Sequence, residues 1–409
     1  MRVALDTSAL DPDFRAHAIR GTGRYVSELY HRLPALLGVG EQLSHFRYSQ
    51  IGRGGFCEKF VERLPVGRHT IKHQVVYPCL MGKGAHGAAD ILHFPVHADA
   101  PTWCRTPFIV TVLDLIPLIF KDLYAPKKNN LRFQFARWLE LQSIRNARAI
   151  FAISEHTATD VHTLLGVPRN KIIVTPLGVD ERFFAEDGES KAVREKFSLE
   201  PKVPLILYVG GIDQRKNISF MLRTFAEVVR ERISGATPIP LLVLAGGIAN
   251  DGQYPLLLAE IERLDLKQYV RLTGFVSDDD LRRLYRTATV FFYPSLYEGF
   301  GLPPLEAMAS STPVVSSNTS SLPEVVGADA LLFDPKDVAQ ATRHLLAVLN
   351  DETLAERLGE QGRERAKGFR WEETARLTAE GYRRVLKELA GVPRSEAPLN
   401  ISATSETRE

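Results

Sequence analysis

The sequence predicts an α/β protein built from two doubly wound parallel sheets, with a helical segment at its carboxyl end. Three observations carry that expectation. Short β-branched or apolar runs alternate with longer helical periods through most of the 409 residues, which is the β-α-β-α order of a parallel sheet flanked by helices. The alternation halts over 180–204, a charged and poorly periodic stretch that reads as a linker, and then begins anew. The chain is also too long for one ordinary core, so two domains are the natural expectation.

The elements follow in order. Residues 2–6, 70–76, 91–94, 108–112, 149–153 and 171–175 read as the strands of the first half. Helical periods over 23–37, 130–146 and 155–165 lie between them. The second half repeats the pattern, with strands at 204–209, 240–245, 269–273, 289–293 and 313–316 and helices that include 218–230 and 256–264. Residues 336–349, 352–367 and 371–389 are successive amphipathic helical patterns, with Phe369 and Trp371 at the last joint. Residues 391–409 lack periodicity and are rich in Ser, Thr, Pro and Glu, the composition of a disordered tail. The expected division is 1–185 and 186–370 as two Rossmann-like domains, then 371–390 as a helix packing back toward the first domain. Two such sheets facing each other would leave a cleft at the carboxyl ends of the strands, where ligands bind in this fold class. Closure about 180–204 would then assemble a site and exclude water.

Composition narrows the function classes. The chain is 44% hydrophobic and 24% charged, and 51 Lys+Arg against 49 Asp+Glu leave a net +2, so overall charge predicts no nucleic-acid partner. Cys57, Cys79 and Cys104 are odd in number and widely spaced. That argues against a disulfide framework or a zinc cluster and for a reducing compartment. The amino terminus reads as a first strand and not as a signal peptide. No apolar run reaches the roughly 18 residues needed to span a bilayer, so the expectation is a cytoplasmic protein, soluble or peripheral on the inner face of the membrane.

The most informative segment is Glu298-Gly299-Phe300-Gly301-Leu302-Pro303-Pro304-Leu305-Glu306. A strand-like run ending in Tyr293-Pro294 leads in, and a helix-like segment over 305–310 leads out. Glycines let backbone approach a ligand closely, and proline suits the first turn of a helix. A helix start with open N–H groups attracts phosphate. The two glutamates would repel phosphate, but they suit sugar hydroxyls, which donate to carboxylates. One loop holding a phosphate and flanked by hydroxyl acceptors fits a nucleotide sugar. Taken alone, two glutamates near a helix start are more often solvated and dipole-favouring. The surrounding glycines and prolines, and the rest of the chain, reverse that.

A second segment, Gly210-Gly211-Ile212-Asp213-Gln214-Arg215-Lys216-Asn217, ends a strand in two glycines and starts a helix with adjacent cations. Arginine suits bidentate contact with phosphate and lysine adds a compact charge. Cations oppose the dipole at a helix start, so an anion justifies their place; a solvated pair pointing away from the cleft is the alternative. Near the amino terminus, Gly21-Thr22-Gly23-Arg24-Tyr25 precedes a long helix, but Val26 stands where a dinucleotide fingerprint has its third glycine. Residues 7–20 also separate this loop from the first strand. A simple Rossmann dehydrogenase is therefore disfavoured. No P-loop, His-Glu-x-x-His or Gly-x-Ser-x-Gly occurs, which disfavours P-loop kinases and ATPases, zinc proteases and serine hydrolases.

With these three segments in this order, the chain resembles the retaining glycosyltransferases of family 4 (group 1), of GT-B fold. The likeness extends through Ile153-Ser154-Glu155-His156-Thr157, Pro176-Leu177-Gly178-Val179-Asp180, Thr273-Gly274-Phe275-Val276-Ser277 and Phe369-Arg370-Trp371. Asp114-Leu115-Ile116-Pro117-Leu118 and the Gly21–Tyr25 loop look most like bacterial O-antigen and exopolysaccharide mannosyltransferases. The resemblance implies that Arg215 and Lys216 hold the donor diphosphate, that Glu298 holds hydroxyls of the donor sugar, and that Glu306 accepts from the ribose. It implies that backbone N–H groups of Phe300, Gly301 and Leu302 contact sugar and diphosphate, with Gly210 and Gly211 at the donor turn. Phe275 and Val276 would border the base. Gly21 and Gly23 would lie across the cleft from the phosphates, with Asp114 among the catalytic residues. Arg24, Tyr25, His93, His97 and Ser154 are candidate sugar or acceptor contacts. No metal and no cofactor are expected, since cations and a helix dipole supply the electrostatics.

One position departs from the pattern. Many family members carry His-Asp where this chain has Leu113-Asp114. Three readings stay open: an altered donor preference, replacement by His93 or His97, or lower activity. For each of the two histidines, an ordinary packed or surface role is the commoner alternative. The segment 121–148 holds seven Lys/Arg against two Asp/Glu, interleaved with Phe133, Phe135, Trp138 and Leu139. It would give a basic amphipathic surface for anionic lipid, or an ordinary helix with its aromatic face turned inward. The expected partners are a nucleotide-sugar donor, GDP-mannose first or a UDP-sugar, and a glycan or lipid-linked acceptor. Two rivals remain: a GT-B nucleotide-sugar epimerase, and a non-catalytic nucleotide-sugar-binding protein.

Overall fold

The computed structural model of the chain describes residues 1–11, 21–47, 89–120, 131–185, 190–235 and 237–391. In chain order the first elements are β1 (Arg2–Asp6), α1 (Gly21–Arg32), β2 (Gln42–Phe46), β3 (Ile91–Phe94), β4 (Phe108–Val112), α2 (Ile116–Ile119), α3 (Leu131–Asn146), β5 (Ala149–Ala152), α4 (Glu155–Leu165) and β6 (Ile172–Val174). Then come α5 (Ser190–Lys196), β7 (Leu205–Val209), α6 (Ile218–Ser234), β8 (Leu241–Ala245), α7 (Tyr254–Arg263), β9 (Val270–Gly274), α8 (Asp278–Thr287) and β10 (Val290–Tyr293). The last are α9 (Leu302–Ala309), β11 (Val314–Ser317), α10 (Leu322–Val326), β12 (Leu331–Phe333), α11 (Val338–Asn350), α12 (Glu352–Ala366) and α13 (Trp371–Leu389).

The described residues form two compact units. The first draws on Met1–Leu115, Ala125–Gly178 and Arg370–Glu409; the second draws on Val179–Phe369 and on α2. Each unit holds a six-stranded sheet, ordered β2-β1-β3-β4-β5-β6 in the first and β12-β11-β10-β7-β8-β9 in the second. Every pairing is parallel. The central strands are buried along their whole length, as parallel strands covered on both faces must be.

Several boundaries depart from the sequence reading, each for a physical reason. The strand expected at 70–76 lies outside the described residues. The neighbour of β1 is β2, whose Gln-Leu-Ser-His-Phe leaves most side chains at least partly exposed; an edge strand needs no continuous apolar run. The helix expected to 37 stops at Arg32 and tightens into a 3-10 turn, Leu33–Leu36, where Pro34 removes an N–H. The stretch 180–204 is not a bare linker. Its described residues belong to the second unit, and α5 packs on α8 through Lys196 Nζ to Asp280 Oδ2 at 2.6 Å. The charges that made it look linker-like are paired: Arg182 reaches Asp180 at 2.7 Å and Asp278 at 3.0 Å. Beyond Gly391 the expected tail lies outside the described residues.

α13 packs within the first unit, not the second, and its small and polar positions explain the close fit. A Cβ at Gly381 would sit 2.4 Å from the Phe151 ring. Thr374 Oγ1 donates to Pro176 O at 2.6 Å. Tyr382 is fully buried with its hydroxyl 2.6 Å from His93 Nδ1.

Candidate functional site

In the second unit the chain runs outward from β7 through β8 to β9, then returns to place β10 on the other side of β7. The crevice beyond the carboxyl ends of β7 and β10 is therefore the topological switch point, where ligands of open α/β sheets bind. The two sequence segments singled out for donor chemistry are the ones that leave these two strands.

β7 ends at Gly210, whose φ of +151° and a Cβ clash of 2.8 Å with the Tyr208 hydroxyl exclude a side chain. The turn Gln214–Lys216 follows, and Asn217, left-handed at φ +57°, redirects the chain into α6. The segment after β10 is tied to this turn by Leu296 N–H donating to Arg215 O at 2.7 Å. Glu298 thereby lies against both cations. Its Oε1 accepts from Lys216 Nζ at 2.6 Å, Ser295 Oγ at 2.5 Å and the Tyr293 hydroxyl at 2.9 Å. Its Oε2 accepts from Arg215 Nη1 at 2.9 Å. Arg215 Nη1 also donates to Tyr297 O at 3.2 Å, while Nε lies 3.1 Å from Asp213 Oδ1 as an ion pair without hydrogen-bond alignment.

This cluster is nearly sealed, with Lys216 at 6% and Glu298 at 9% exposure. Burial alone would raise the Glu298 pKa, but Lys216 and Arg215 hold it at about 2. Burial likewise works against Arg215, yet Glu298 and Asp213 leave its pKa above the ordinary arginine value. Lys216 leans the other way: burial and the Arg215 charge pull it below the ordinary lysine value against the opposing pull of Glu298. The direction at Glu298 is the firmer one, because four donors converge on that carboxylate. Glu298 and Asp213 balance Arg215 and Lys216 in charge, and the N–H donors of the two cations beyond those spent on these carboxylates are suited to a phosphate.

The loop beyond Glu298 is fixed from the Ser-rich segment after β11. Ser320 Oγ accepts the Glu298 N–H at 2.8 Å, and Ser321 Oγ donates to Glu298 O at 2.9 Å and Phe300 O at 2.6 Å. Gly301, at φ +119°, caps α9, and a Cβ there would lie 2.9 Å from Leu322 Cδ2. α9 thus starts at Leu302, three residues before the helix the sequence suggests, with both prolines inside its first turn. Those prolines carry no N–H, which leaves the Leu302 amide at the head of the helix. Glu306 lies one turn further, buried, with the Tyr285 hydroxyl donating to its Oε2 at 3.1 Å. Phe300 packs edge-on to Phe369 at 5.9 Å and is buried, so only its backbone can meet a ligand. At the end of β9, Val276 is half-buried and Phe275 is 71% exposed.

The second unit therefore gathers Arg215, Lys216, Glu298, Gly210 and Gly211 at one crevice and carries Phe300, Gly301 and Leu302 on the segment that continues from Glu298. In the first unit, Leu113 and Asp114 follow β4, both half-buried. The Gly21–Tyr25 segment is not a loop. Gly21, Gly23 and Arg24 form the first turn of α1, and Tyr25 lies on its buried face with its hydroxyl 3.0 Å from Thr111 Oγ1. Tyr25 is thus core, not an acceptor contact. His93 is core too: both ring nitrogens are engaged, with Tyr382 at 2.6 Å and Thr111 at 2.8 Å, and burial pushes its pKa down to about 3. Ser154 is the N-cap of α4, accepting the Thr157 N–H at 3.0 Å. His97 pairs with Glu140 of α3 at 2.9 Å. Phe135 and Trp138 stack on each other at 5.9 Å and face outward. Of the residues named on that face, Phe135 and Trp138 thus turn outward, whereas Leu139 is buried. Polar and apolar residues are nonetheless spread around α3 and not segregated as in an interfacial helix.

Sequence reasoning missed Tyr293, Ser295, Tyr208, Ser320 and Ser321. Their signal was present: a phenol near the end of each of two apolar strand runs, and an unbroken polar run from Ser316 to Ser321.

Comparison with known proteins agrees with this architecture. Residues 189–365 match the family described as glycosyl transferases group 1, and residues 19–183 match Glycosyltransferase Family 4. The chain is 35% identical over 394 residues to the O-antigen chain mannosyltransferase B of Escherichia coli, covering 90% of this chain and 97% of that one. It is 32% identical over 318 residues to the serotype-specific mannosyltransferase WbdA of Escherichia coli, covering 74% of this chain; the match spans only about a third of that longer relative, 36%. Among solved structures, the sucrose-phosphate synthase of Thermosynechococcus elongatus superposes with a TM-score of 0.70 at 22% identity, over 95% of this chain and 100% of that one, which speaks to the fold. The chain belongs to the group 1, family 4 glycosyltransferases, with the GT-B fold.

Proposed function

We propose that the chain transfers a hexose from a nucleoside diphosphate sugar to a glycan or lipid-linked acceptor in cell-surface polysaccharide assembly, with mannose from GDP-mannose as the first donor to test. The observation that carries the reading is the buried Arg215–Lys216–Glu298 cluster at the switch point of the second unit. The two cations, held in place by Glu298 and Asp213, would donate to the diphosphate and stabilise it as it leaves, the work an oxyanion site does elsewhere. The Leu302 amide would add the dipole end of α9. Glu306 would take the ribose hydroxyls, and exposed Phe275 with Val276 would border the base. Glu298 keeps one lone-pair direction on Oε2 for a sugar hydroxyl; its Oε1 is spent on three donors. Retention would follow a same-face route, in which the departing phosphate oxygen takes the acceptor's proton. No metal enters this reading, because the two cations carry the charge. The names of the mannosyltransferase relatives support mannose, while Leu113 sits beside Asp114 where the family's usual histidine is lost.

The four intact donor-side residues weigh against a non-catalytic binder, and an epimerase would have to convert donor with no acceptor present. The first experiment is a thermal-shift screen with GDP, UDP, GDP-mannose, UDP-glucose and UDP-N-acetylglucosamine. A donor at a hundredfold excess over its dissociation constant stabilises the fold by about 2.7 kcal/mol. A shift with one nucleotide family fixes the base; none with any of them ends the catalytic reading. Lys216→Ala should cost turnover about 2–4 kcal/mol of barrier, and unchanged turnover in that variant would sink the assignment.

Peripheral contact with the inner face of the membrane is part of the same reading. Its supports are the exposed Phe135–Trp138 pair and the basic composition of 121–148. No helix among the described residues is long and apolar enough to cross a membrane. Co-sedimentation with vesicles of phosphatidylglycerol and phosphatidylethanolamine tests it, and loss of binding in a Phe135→Ser/Trp138→Ser variant is the expected result.

A further inference from the structure

We infer that Tyr293 is a positioning residue of the donor site: its hydroxyl bridges Lys216 to Glu298, aims the ammonium into the crevice and keeps it charged. The inference rests on the donor-site reading above. Tyr293 ends β10, and its ring and hydroxyl both face Lys216. The hydroxyl accepts from Lys216 Nζ at 2.7 Å and donates to Glu298 Oε1 at 2.9 Å, so the three groups close a triangle with the 2.6 Å Lys216–Glu298 pair. Nζ also lies 5.0 Å from the centroid of the Tyr293 ring, within cation–π range. Two of the three ammonium protons are thereby directed at protein acceptors, which leaves one to point at a ligand.

The ring itself is held. Tyr208 of β7 stacks on it at 5.9 Å and 22°, and the Tyr208 hydroxyl donates to Gly211 O at 2.6 Å. Phe291 stacks on its other neighbour side at 5.6 Å. The phenol is fully buried and its pKa lies well above the ordinary value, from burial first and then the Glu298 charge. It therefore stays a neutral donor and acceptor at every working pH. The charged and titratable groups around Lys216 are Glu298 and Tyr293 from the β10 side and Asp213, Arg215 and Tyr208 from the β7 side. Burial and Arg215 both work against the ammonium. Glu298 and the Tyr293 oxygen are its close supports, and only the second can be removed without deleting a charge.

Tyr293→Phe keeps the ring, the stack and the cation–π contact and deletes the bridge. The test is the binding of GDP and of UDP, in parallel titrations from about pH 6 to pH 10, to wild type, Tyr293→Phe and Lys216→Ala. Binding should weaken at high pH as Lys216 loses its proton, and Lys216→Ala should lack that limb. In Tyr293→Phe the limb should move down by about one pH unit, so that binding above it is up to about tenfold weaker than wild type while binding near pH 6 changes far less. A purely structural role would weaken binding alike at every pH. A Tyr293→Phe limb that coincides with wild type, while Lys216→Ala has lost it, overturns the inference and leaves the donor site standing. Lys216→Ala binding like wild type overturns both. Should the phenylalanine variant fail to fold, Tyr293→Met lacks the ring and its cation–π contact as well as the hydroxyl, so its limb should move down at least as far, and a limb that coincides with wild type overturns the inference.

Discussion

Glu298 shows how one residue can be legible in type while most of its protein partners are not. Its place in the glutamate-flanked loop pointed to sugar hydroxyls. The structure spends most of its acceptor capacity on Lys216, Arg215, Ser295 and Tyr293, and the two cations among them stand 82 and 83 positions away in the chain, where no spacing rule reaches. The consequence is testable by pH. The Glu298 pKa lies at about 2 against an ordinary 4.5, so the group contributes stability that is present above about pH 4.5 and is lost as pH falls through about 2. Glu298→Gln should unfold at lower temperature at pH 7 by about 3–5 kcal/mol of stability, because buried Lys216 loses its counter-ion and Arg215 keeps only Asp213. The gap to wild type should shrink as pH falls below about 4.5. An equal gap at pH 7 and pH 2.5 in calorimetric melts would show that the carboxylate charge is not what holds the cluster.

At the scale of elements, the parallel strands and long helices were legible because burial on both faces demands continuous apolar runs and amphipathic helices demand period. Edge strand β2 was not, since it needs no apolar run, and β12, though wholly apolar, is only three residues long. Turn chemistry was half legible: Gly210 and Gly301 were flagged as glycines of a close approach, while the hydroxyls of Ser320 and Ser321 that clamp the same loop were not. Ser154 was read as an acceptor contact because of where it stands in the family pattern, yet locally it caps α4. Ser154→Ala should therefore cost about 1 kcal/mol of stability and leave donor affinity unchanged. A variant of normal stability with weakened turnover would return Ser154 to the substrate.

For the whole molecule, the two parallel six-stranded sheets differ in strand order and in how their buried polar groups are kept. The second unit keeps ions, neutralised in place. The first keeps a neutral network, in which His93 bridges Tyr382 of α13 and Thr111 of β4, and Tyr25 of α1 shares Thr111. The ring is also edge-on to Phe151 and Tyr382 at 5.2 and 5.5 Å. Burial pushes the His93 pKa down to about 3 from an ordinary 6.5, so protonation favours the unfolded chain. The stability it permits is fully present above about pH 6.5 and is lost as pH falls toward about 3, at about 1.4 kcal/mol per pH unit. The two units should thus fail in different acid windows, the first beginning below pH 6.5 and the Glu298 cluster only below about pH 4.5. Hydrogen exchange resolves this by peptide: between pH 6.5 and 4.5, protection should fall in α13 and hold in α9. His93→Phe keeps the ring contacts and strands the Tyr382 hydroxyl, while Thr111 keeps Tyr25, so α13 should be less protected at pH 7 by about 1–3 kcal/mol but flat across that window. A slope in α13 that survives this substitution would mean that another group couples the carboxyl-terminal helix to acid.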